Sequence, residues 1–246
     1  MRQYTALATD YDGTLAVDGR VPPAALDALN RLKQAGFTLI LVTGRRMESL
    51  RTLFPEMAVF DRIVAENGAV VHRPDTGDST LLGAPPPPEA IEALHRKGIP
   101  FSVGQVILTS RTPHEKAVVD TFRELALDNA VEFNKGAVLV LPAEMTKAKG
   151  LQLALDELQV APSHVIGIGD AENDHSFLAM CGASVAVADA IPSVREDADL
   201  VTQGGAGDGL VELAGYLVAG DLAGLAKRQG PHAPLTASGL RPTSSS

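Results

Sequence analysis

"YTALATDYDGTL", residues 4–15, joins an apolar run to two aspartates, Asp10 and Asp12, and the second is followed at once by Gly-Thr. The apolar run has the length of a short buried strand that ends at Asp10. In open parallel sheets, ligands bind at the carboxyl ends of the strands. Residues two apart in an extended segment share one face, and a turn at Gly13 can bring both carboxylates to one ligand. The stretch therefore predicts a parallel sheet with a charged, ligand-binding edge.

The segments that follow alternate between helical and extended patterns. After Pro22-Pro23, leucines recur at three-residue intervals, as they do on the buried face of a helix. Residues 37–42 are apolar throughout, which is typical of a strand buried on both faces. The alternation continues to a strand at 62–66 and returns with another at 164–170. It predicts an α/β fold built on a doubly wound parallel sheet.

The middle of the chain breaks this alternation. "PDTGD" has turn chemistry, and "APPPPEA" is a stiff entry into a helix. Helical and extended patterns then mix, with a hairpin turning at residues 134–136. We predict a core domain formed by residues 1–74 and 144–228, with an α+β unit, 75–143, inserted between its halves. Residues 229–246, rich in Pro, Ser, Thr and Gly, are expected to be a disordered tail.

Composition narrows the range of partners. The 246 residues include 30 acidic and 21 basic side chains, a formal net charge of −9, which disfavours binding to nucleic acid. There is neither an apolar signal segment at the start nor a run of roughly 18 to 20 apolar residues that could span a membrane. The single cysteine, Cys181, cannot form an internal disulfide. We expect a cytoplasmic protein, monomeric or homodimeric, that binds a small molecule.

Four groups of polar residues stand at predicted strand ends or helix starts, and their residue types fit one task. They are Asp10-Tyr11-Asp12-Gly13-Thr14, Thr43-Gly44-Arg45, Lys149-Gly150, and "GDAEND" at residues 169–174.

That task is the handling of a phosphate monoester. A phosphate dianion between Asp10 and Asp170 gathers roughly four negative charges, and each pair about 4 Å apart repels by roughly 4 kcal/mol at an effective dielectric near 20. Mg²⁺ and Lys149 would offset most of this charge, and Thr43 and backbone N–H groups would bind the rest. Mg²⁺ prefers oxygen ligands, which Asp10, the backbone carbonyl of Asp12 and Asp170 can supply.

The two aspartates of the opening stretch then take separate roles. Asp10 would attack phosphorus and form an aspartyl-phosphate, so it is the nucleophile. Asp12 would protonate the leaving oxygen and later take a proton from the hydrolytic water, so it is the general acid and base. Phosphoryl transfer needs mostly positioning and charge neutralisation, and these residues offer both.

These motifs, in this order, resemble the haloacid dehalogenase superfamily of phosphohydrolases. The insert between "TGR" and "KG", together with "ENGA" at residues 66–69, is similar to the Cof-type IIB branch. The resemblance implies a Rossmann-like core with a mobile cap that closes over the site, the cap being the inserted unit. It also implies that the reaction requires Mg²⁺.

The resemblance assigns the site residues as follows: catalytic Asp10, Asp12, Thr43 and Lys149; metal-binding Asp10, Asp12, Asp170, Asn173 and Asp174; substrate-binding Thr43, Gly44, Arg45 and Asn67. Lys135, at the hairpin tip of the cap, is a further candidate for contact with an anionic substrate. Lys147 competes with Lys149 for the charge-stabilising role, and Lys149 is favoured because it directly precedes Gly150, as in the family pattern.

The sequence thus predicts a Mg²⁺-dependent phosphatase of small phosphorylated metabolites, of the phosphoglycolate or sugar-phosphate class. One alternative keeps the chemistry but passes the phosphoryl group to a sugar hydroxyl, as a phosphotransferase or phosphomutase does. Another is a phospho-acceptor receiver module. An inserted unit and an acceptor on the first strand both argue against the receiver.

Overall fold

The computed structural model describes residues 3–134 and 136–220, so the predictions for Lys135 and for the tail at 229–246 lie outside the described residues. The strands are β1 (Ala6–Thr9), β2 (Thr38–Val42), β3 (Arg62–Ala65), β4 (Val70–His72), β5 (Ser79–Leu81), β6 (Ser102–Val103), β7 (Leu108–Arg111), β8 (Asn129–Asn134), β9 (Ala137–Pro142), β10 (Val165–Gly169), β11 (Ala183–Ala186) and β12 (Leu200–Val201). The helices are α1 (Pro23–Gln34), α2 (Met47–Leu53), α3 (Pro88–Arg96), α4 (Glu115–Glu124), α5 (Lys147–Leu158), α6 (His175–Leu178), α7 (Pro192–Asp197) and α8 (Asp208–Ala219).

The main sheet has eight strands in the order β12-β11-β10-β1-β2-β3-β4-β5. The strands from β12 to β3 run parallel, with Leu7 of β1 opposite both Ile166 of β10 and Leu39 of β2. Their side chains are almost all buried, as expected for strands covered by helices on both faces. The predicted doubly wound α/β sheet is confirmed.

The main sheet extends further along the chain than the sequence indicated. The turn "PDTGD" closes a hairpin, in which the Arg73 and Gly77 amides donate to the carbonyls of Asp78 and Arg73, and β5 pairs antiparallel with β4. We predicted that the insert begins at residue 75, but Ser79–Leu81 still belong to the main sheet. The turn was therefore the middle of a hairpin rather than the exit from the core. The division into domains stays a prediction.

Residues 88–134 and 136–142, which we call the smaller unit, contain a second antiparallel sheet in the order β6-β7-β9-β8. Helices α3 and α4 cover it, and Leu94, Val118 and Phe122 fill the space between them. Val106, Ile107, Leu139 and Leu141 belong instead to the apolar core of the main sheet. The two sheets are thus joined by apolar packing.

A close backbone contact positions α5 against the main sheet. A Cβ atom on Gly150 would lie 2.5 Å from the carbonyl oxygen of Gly68, and one on Gly68 would overlap the carbonyl of Thr146. Gly68 also has a φ of 102°, a conformation that side chains rarely adopt. Only glycine at both positions lets the start of α5 lie this close to the turn that follows β3.

Candidate active site

Three carboxylates meet at the carboxyl edge of the main sheet. Asp10 directly follows β1, Asp170 directly follows β10, and Asp174 ends the short turn before α6. Because β1 and β10 are parallel neighbours, their ends lie side by side. One oxygen from each of the three carboxylates lies within 4.8 Å of the other two, and all three residues are buried. The Thr14 hydroxyl donates to Asp170 Oδ1 at 3.2 Å and orients that carboxylate.

A buried ammonium group completes the cluster, and it belongs to Lys147. Its Nζ donates to Asp10 Oδ1 and to Asp174 Oδ1, both at 2.6 Å, and its side chain is 2% exposed. The prediction of Lys149 for this position is wrong. Lys149 is 51% exposed and lies 3.5 Å from Glu144 Oε2. Because successive residues turn by about 100° around a helix, two positions along α5 move the side chain to the opposite face.

The side chains of this cluster do not balance one another's charge. Burial raises the pKa of Asp10 well above its usual range, and the neighbouring Asp174 raises it further. Burial would lower the pKa of Lys147, but the charges of Asp10 and Asp174 outweigh it and raise that pKa. Three carboxylates thus face one ammonium in a desolvated site. A divalent cation with a preference for oxygen ligands fits this donor set and would offset the remaining charge.

Asp174 holds the acidic loop in shape. Its Oδ2 accepts the backbone N–H groups of Asp170 and Ala171, each at 2.9 Å, while its Oδ1 accepts from Lys147. Both oxygens of Asp174 are therefore engaged within the protein. Asp174 links the loop after β10 to the lysine of α5.

Asp12 is held by an arginine fork. Arg45 Nε and one terminal nitrogen donate to the two carboxylate oxygens of Asp12, each at 2.6 Å. The guanidinium of Arg45 also lies over the ring of Tyr11, 5.2 Å from its centroid. Planar, bidentate pairs of this kind fix direction as well as charge. Arg45, predicted to bind substrate, thus contacts the carboxylate predicted to transfer protons.

Thr43 and Gly44 follow β2 at the same edge. Thr43 is 1% exposed, and its hydroxyl accepts the backbone N–H of Arg45 at 3.1 Å. A hydroxyl that accepts from its own loop keeps its hydrogen available for another acceptor. Thr43 and Gly44 lie beside Asp10 in the wall of one cavity.

Asn67 connects the acidic loop to the smaller unit. It has a left-handed backbone (φ 56°, ψ 34°) in the turn after β3. Its Nδ2 donates to Glu132 Oε2 at 2.6 Å, and its Oδ1 accepts from Asn173 Nδ2 at 3.1 Å. Burial raises the pKa of Glu132. Asn173 Oδ1 is buried, and the described part of the chain offers it no hydrogen-bond partner, which leaves this acceptor for a ligand.

These groups surround a cavity of about 410 Å³. From the main sheet it is lined by Asp10, Asp12, Thr43, Gly44, Arg45, Arg46, Ser49, Lys147, Ala171 and Asn173, and from the smaller unit by Thr109, Ser110, Ala137 and Leu139. Two carboxylates, a buried ammonium and a hydroxyl thus face one small volume. This combination suits transfer of a phosphoryl group.

Sequence reasoning weighed Lys147 but favoured Lys149, and it did not single out Glu132 or Glu66. Glu132 lies in the alternating pattern of a hairpin strand, and nothing in that pattern distinguishes it from an exposed residue. Glu66 belongs to "ENGA", which was noted for the family resemblance and for Asn67, and its carboxylate is buried. Both residues have partners more than 35 positions away, which local patterns do not reveal.

The chain matches the family model described as haloacid dehalogenase-like hydrolase over residues 7–112 and 99–213. A phosphoglycolate phosphatase from Methanothermobacter thermautotrophicus is 33% identical over 219 residues, which cover 84% of this chain and 96% of the relative. A haloacid dehalogenase-like hydrolase from Bacteroides thetaiotaomicron has a similar fold, with a TM-score of 0.76 and 19% identity over 87% of this chain and 99% of that one. A sugar phosphatase of HAD subclass IIB has a TM-score of 0.67 and 21% identity, over 86% of this chain and 98% of that one.

The chain therefore belongs to the haloacid dehalogenase-like hydrolase family, and it is an enzyme of the phosphoric monoester hydrolase class. The resemblance seen in the four sequence motifs is confirmed. Across residues 3–134 and 136–220, no helix is both long enough and apolar enough to cross a membrane.

Proposed function

We propose that this enzyme is a Mg²⁺-dependent phosphatase of small phosphorylated metabolites, acting through an aspartyl-phosphate on Asp10. One observation carries the proposal: the Asp10 carboxylate lies 2.6 Å from a buried ammonium and within a cluster of three carboxylates. An anionic nucleophile can attack a phosphate dianion only where charge is offset in this way.

In the proposed mechanism, an oxygen of Asp10 attacks phosphorus and the bond to the leaving oxygen breaks. Asp12, once one of its oxygens has been released from Arg45 and protonated, gives that proton to the leaving alkoxide. Asp12 then takes a proton from a water that attacks the phosphorus of the aspartyl-phosphate, releasing inorganic phosphate and restoring the Asp10 carboxylate. Thr43 donates its hydroxyl hydrogen to a phosphoryl oxygen, and Lys147 aligns the Asp10 carboxylate and lowers its pKa against the effect of burial.

Mg²⁺ would be held by Asp10, Asp170 and the backbone carbonyl of Asp12, and it would supply charge neutralisation and orientation of the phosphoryl group. Asn173 is a further candidate ligand because its Oδ1 is unpartnered in the described part of the chain. Asp174, with both oxygens engaged, would act through Lys147 and through the loop that it shapes.

The substrate class is proposed from the relatives and from the cavity. Phosphoglycolate phosphatases and a subclass IIB sugar phosphatase are among the similar proteins, and a cavity of about 410 Å³ suits a compact phosphomonoester. We propose a phosphoglycolate or sugar-phosphate substrate. The same proposal includes a cytoplasmic location and no nucleic-acid partner, and the formal charge of −9 supports the second of these.

The test is release of inorganic phosphate from a panel of small phosphomonoesters, with Mg²⁺ and after its removal by a chelator. We expect turnover that needs the metal and falls by at least about a thousandfold in Asp10→Asn, because an amide is a far weaker nucleophile. Activity of Asp10→Asn within tenfold of the parent would exclude Asp10 as the nucleophile. Adding a sugar acceptor distinguishes the phosphotransferase alternative, which would yield a new phosphate ester in place of inorganic phosphate.

A further inference from the structure

The proposed mechanism leaves one buried carboxylate at the catalytic edge unused, that of Glu66. The residue directly follows β3, is 1% exposed and has a φ of 52°. Its Oε1 accepts the backbone N–H of Gln105 at 2.9 Å, and its Oε2 accepts those of Val106 and Ile107 at 2.9 and 3.0 Å. Three consecutive amides of the smaller unit thus bind one side chain of the main sheet.

This contact is specific in shape as well as in charge. Desolvation of a carboxylate and a left-handed backbone at a non-glycine residue both cost free energy, and three charge-assisted hydrogen bonds offset that cost. A Cβ atom on Gly104 would lie 2.6 Å from the carboxyl atoms of Glu66. The loop at residues 104–107 therefore fits closely around the carboxylate.

The loop leads directly into the cavity wall. Residues 104–107 connect β6 to β7, and β7 carries Thr109 and Ser110, which line the cavity opposite the catalytic edge. Fixing the amides at 105–107 therefore fixes where this part of the wall stands.

The neighbouring residue holds the opposite side of the smaller unit. Asn67 binds Glu132 on β8, and β8 and β6 are the two outer strands of the second sheet. Two consecutive residues of one turn, Glu66 and Asn67, thus attach the smaller unit near both of its edges. The Asn67 side chain also accepts from Asn173 of the acidic loop, whereas the Glu66 carboxylate accepts from the amides at residues 105–107 of the smaller unit.

We propose that Glu66 is a positioning residue that anchors the 104–107 loop and so sets the place of the Thr109 and Ser110 wall over the catalytic edge. Its effect is on which phosphomonoesters fit, not on the phosphoryl transfer itself. The proposal rests on the phosphatase function proposed above for its kinetic consequence. The anchoring contact itself can be measured without any activity.

Two variants break the contact from opposite sides. Glu66→Gln replaces one carboxylate oxygen by an NH₂ group that meets a backbone N–H, and Gly104→Ala pushes a methyl group into the intact carboxylate. In both variants we expect amide hydrogen exchange at residues 105–107 to become at least about tenfold faster. For substrates that reach the wall we expect KM to rise about tenfold with kcat within about twofold, and KM for a minimal ester to stay unchanged.

Asp199→Asn is the matched control. Asp199 also binds a backbone N–H and a hydroxyl, both of Ser184, at 2.9 and 2.8 Å, but it lies between β11 and β12, away from the smaller unit. We expect it to lower the melting temperature without changing KM or the exchange at 105–107. If it changes the KM ratio between large and minimal esters as much as Glu66→Gln does, the positioning role is wrong.

The outcomes separate the two proposals. Unchanged exchange at 105–107 in both variants would overturn the anchor whatever the activity. Faster exchange with an unchanged KM ratio would overturn its role in substrate fit. A parent enzyme that releases no phosphate from any ester, with exchange still accelerated in the variants, would instead overturn the proposed function. If Glu66→Gln does not fold, Gly104→Ala, which keeps the carboxylate, decides by the same measurements.

Discussion

The two walls of the cavity differ in almost every physical respect. The wall from the main sheet concentrates charge, with Asp10, Asp12 and Lys147 tied into ion pairs at 2.6 Å. The wall from the smaller unit consists of Thr109, Ser110, Ala137 and Leu139, none of which carries a charge. The first wall is built for bond making and breaking, which demands cancelled charge. The second offers only shape and hydroxyl groups, which suits a choice among leaving groups. Under the proposed function, chemistry and selection would thus come from separate parts of the chain.

The most severe way to test this separation is to remove the buried ammonium. Lys147→Met should lower kcat by about a thousandfold, because Asp10 and Asp174 would then face each other without a cation in a desolvated site. Lys149→Met, two positions along the same helix and 51% exposed, is the matched control and should stay within about twofold. Steady-state phosphate release checks both. Equal losses in the two variants would contradict the assignment of Lys147.

A smaller loss should follow from releasing Asp12. Arg45→Ala should lower kcat about tenfold to a hundredfold on alkyl phosphates, whose leaving oxygen needs a proton, and much less on an aryl phosphate with a good leaving group. Arg45→Lys should recover only part of the activity, because an ammonium cannot form the bidentate contact. A uniform loss on both ester types would mean that Arg45 binds the phosphoryl group and does not act through Asp12.

Changes in the uncharged wall should affect affinity alone. Thr109→Val keeps the shape and removes a hydroxyl, so KM for a hydroxylated substrate should rise about threefold with kcat unchanged. Thr52→Val, on an exposed turn of α2, serves as the control. A kcat effect as large as that of Arg45→Ala would show that the smaller unit takes part in the chemistry and would break the comparison.

The smallest expected effect is a change in melting temperature on substitution of Glu132, a half-buried carboxyl group of the smaller unit. Burial raises its pKa, so the folded state holds a proton that the unfolded chain releases at lower pH. The folded state therefore loses stability as pH rises from the unfolded-state pKa through the folded-state pKa. Glu132→Gln should raise the melting temperature at neutral pH by about one or two degrees and have no effect near about pH 4. Thermal melts at both pH values check this, with the exposed Glu92→Gln as control.

Patterns local in sequence predicted most of the fold. Each of these patterns lies within a dozen residues: the apolar runs of β1 and β2, and the leucine spacing of α1. The two strands and the helix form where we expected them. The return of the chain to the main sheet through β5 was not anticipated, because a turn sequence does not say which sheet the next strand joins.

In the candidate site too, residues placed by local patterns could be predicted, and residues placed by long-range contacts could not. Asp10, Thr43 and Asp170 could be predicted because a strand end fixes where the next side chain stands in a parallel sheet. The choice between Lys147 and Lys149 depended on which face of α5 is turned toward the sheet, and two lysines separated by one residue do not encode this. Glu132 and Glu66 depend on pairings across the two sheets, and residue type alone does not reveal such partners.

The glycine contact between the turn after β3 and the start of α5 has a consequence for how such a site can be altered. Where Gly68 and Gly150 meet, main chain touches main chain, so no rotamer can adjust the spacing. The distance from the start of α5 to Asp10, which Lys147 spans, is therefore set by backbone contacts and not by side-chain packing. A single added methyl group at either glycine would act as a wedge at the root of the lysine's helix, whereas repacking of the surrounding apolar residues would leave that reach intact. Engineering of substrate choice is accordingly best confined to the uncharged wall.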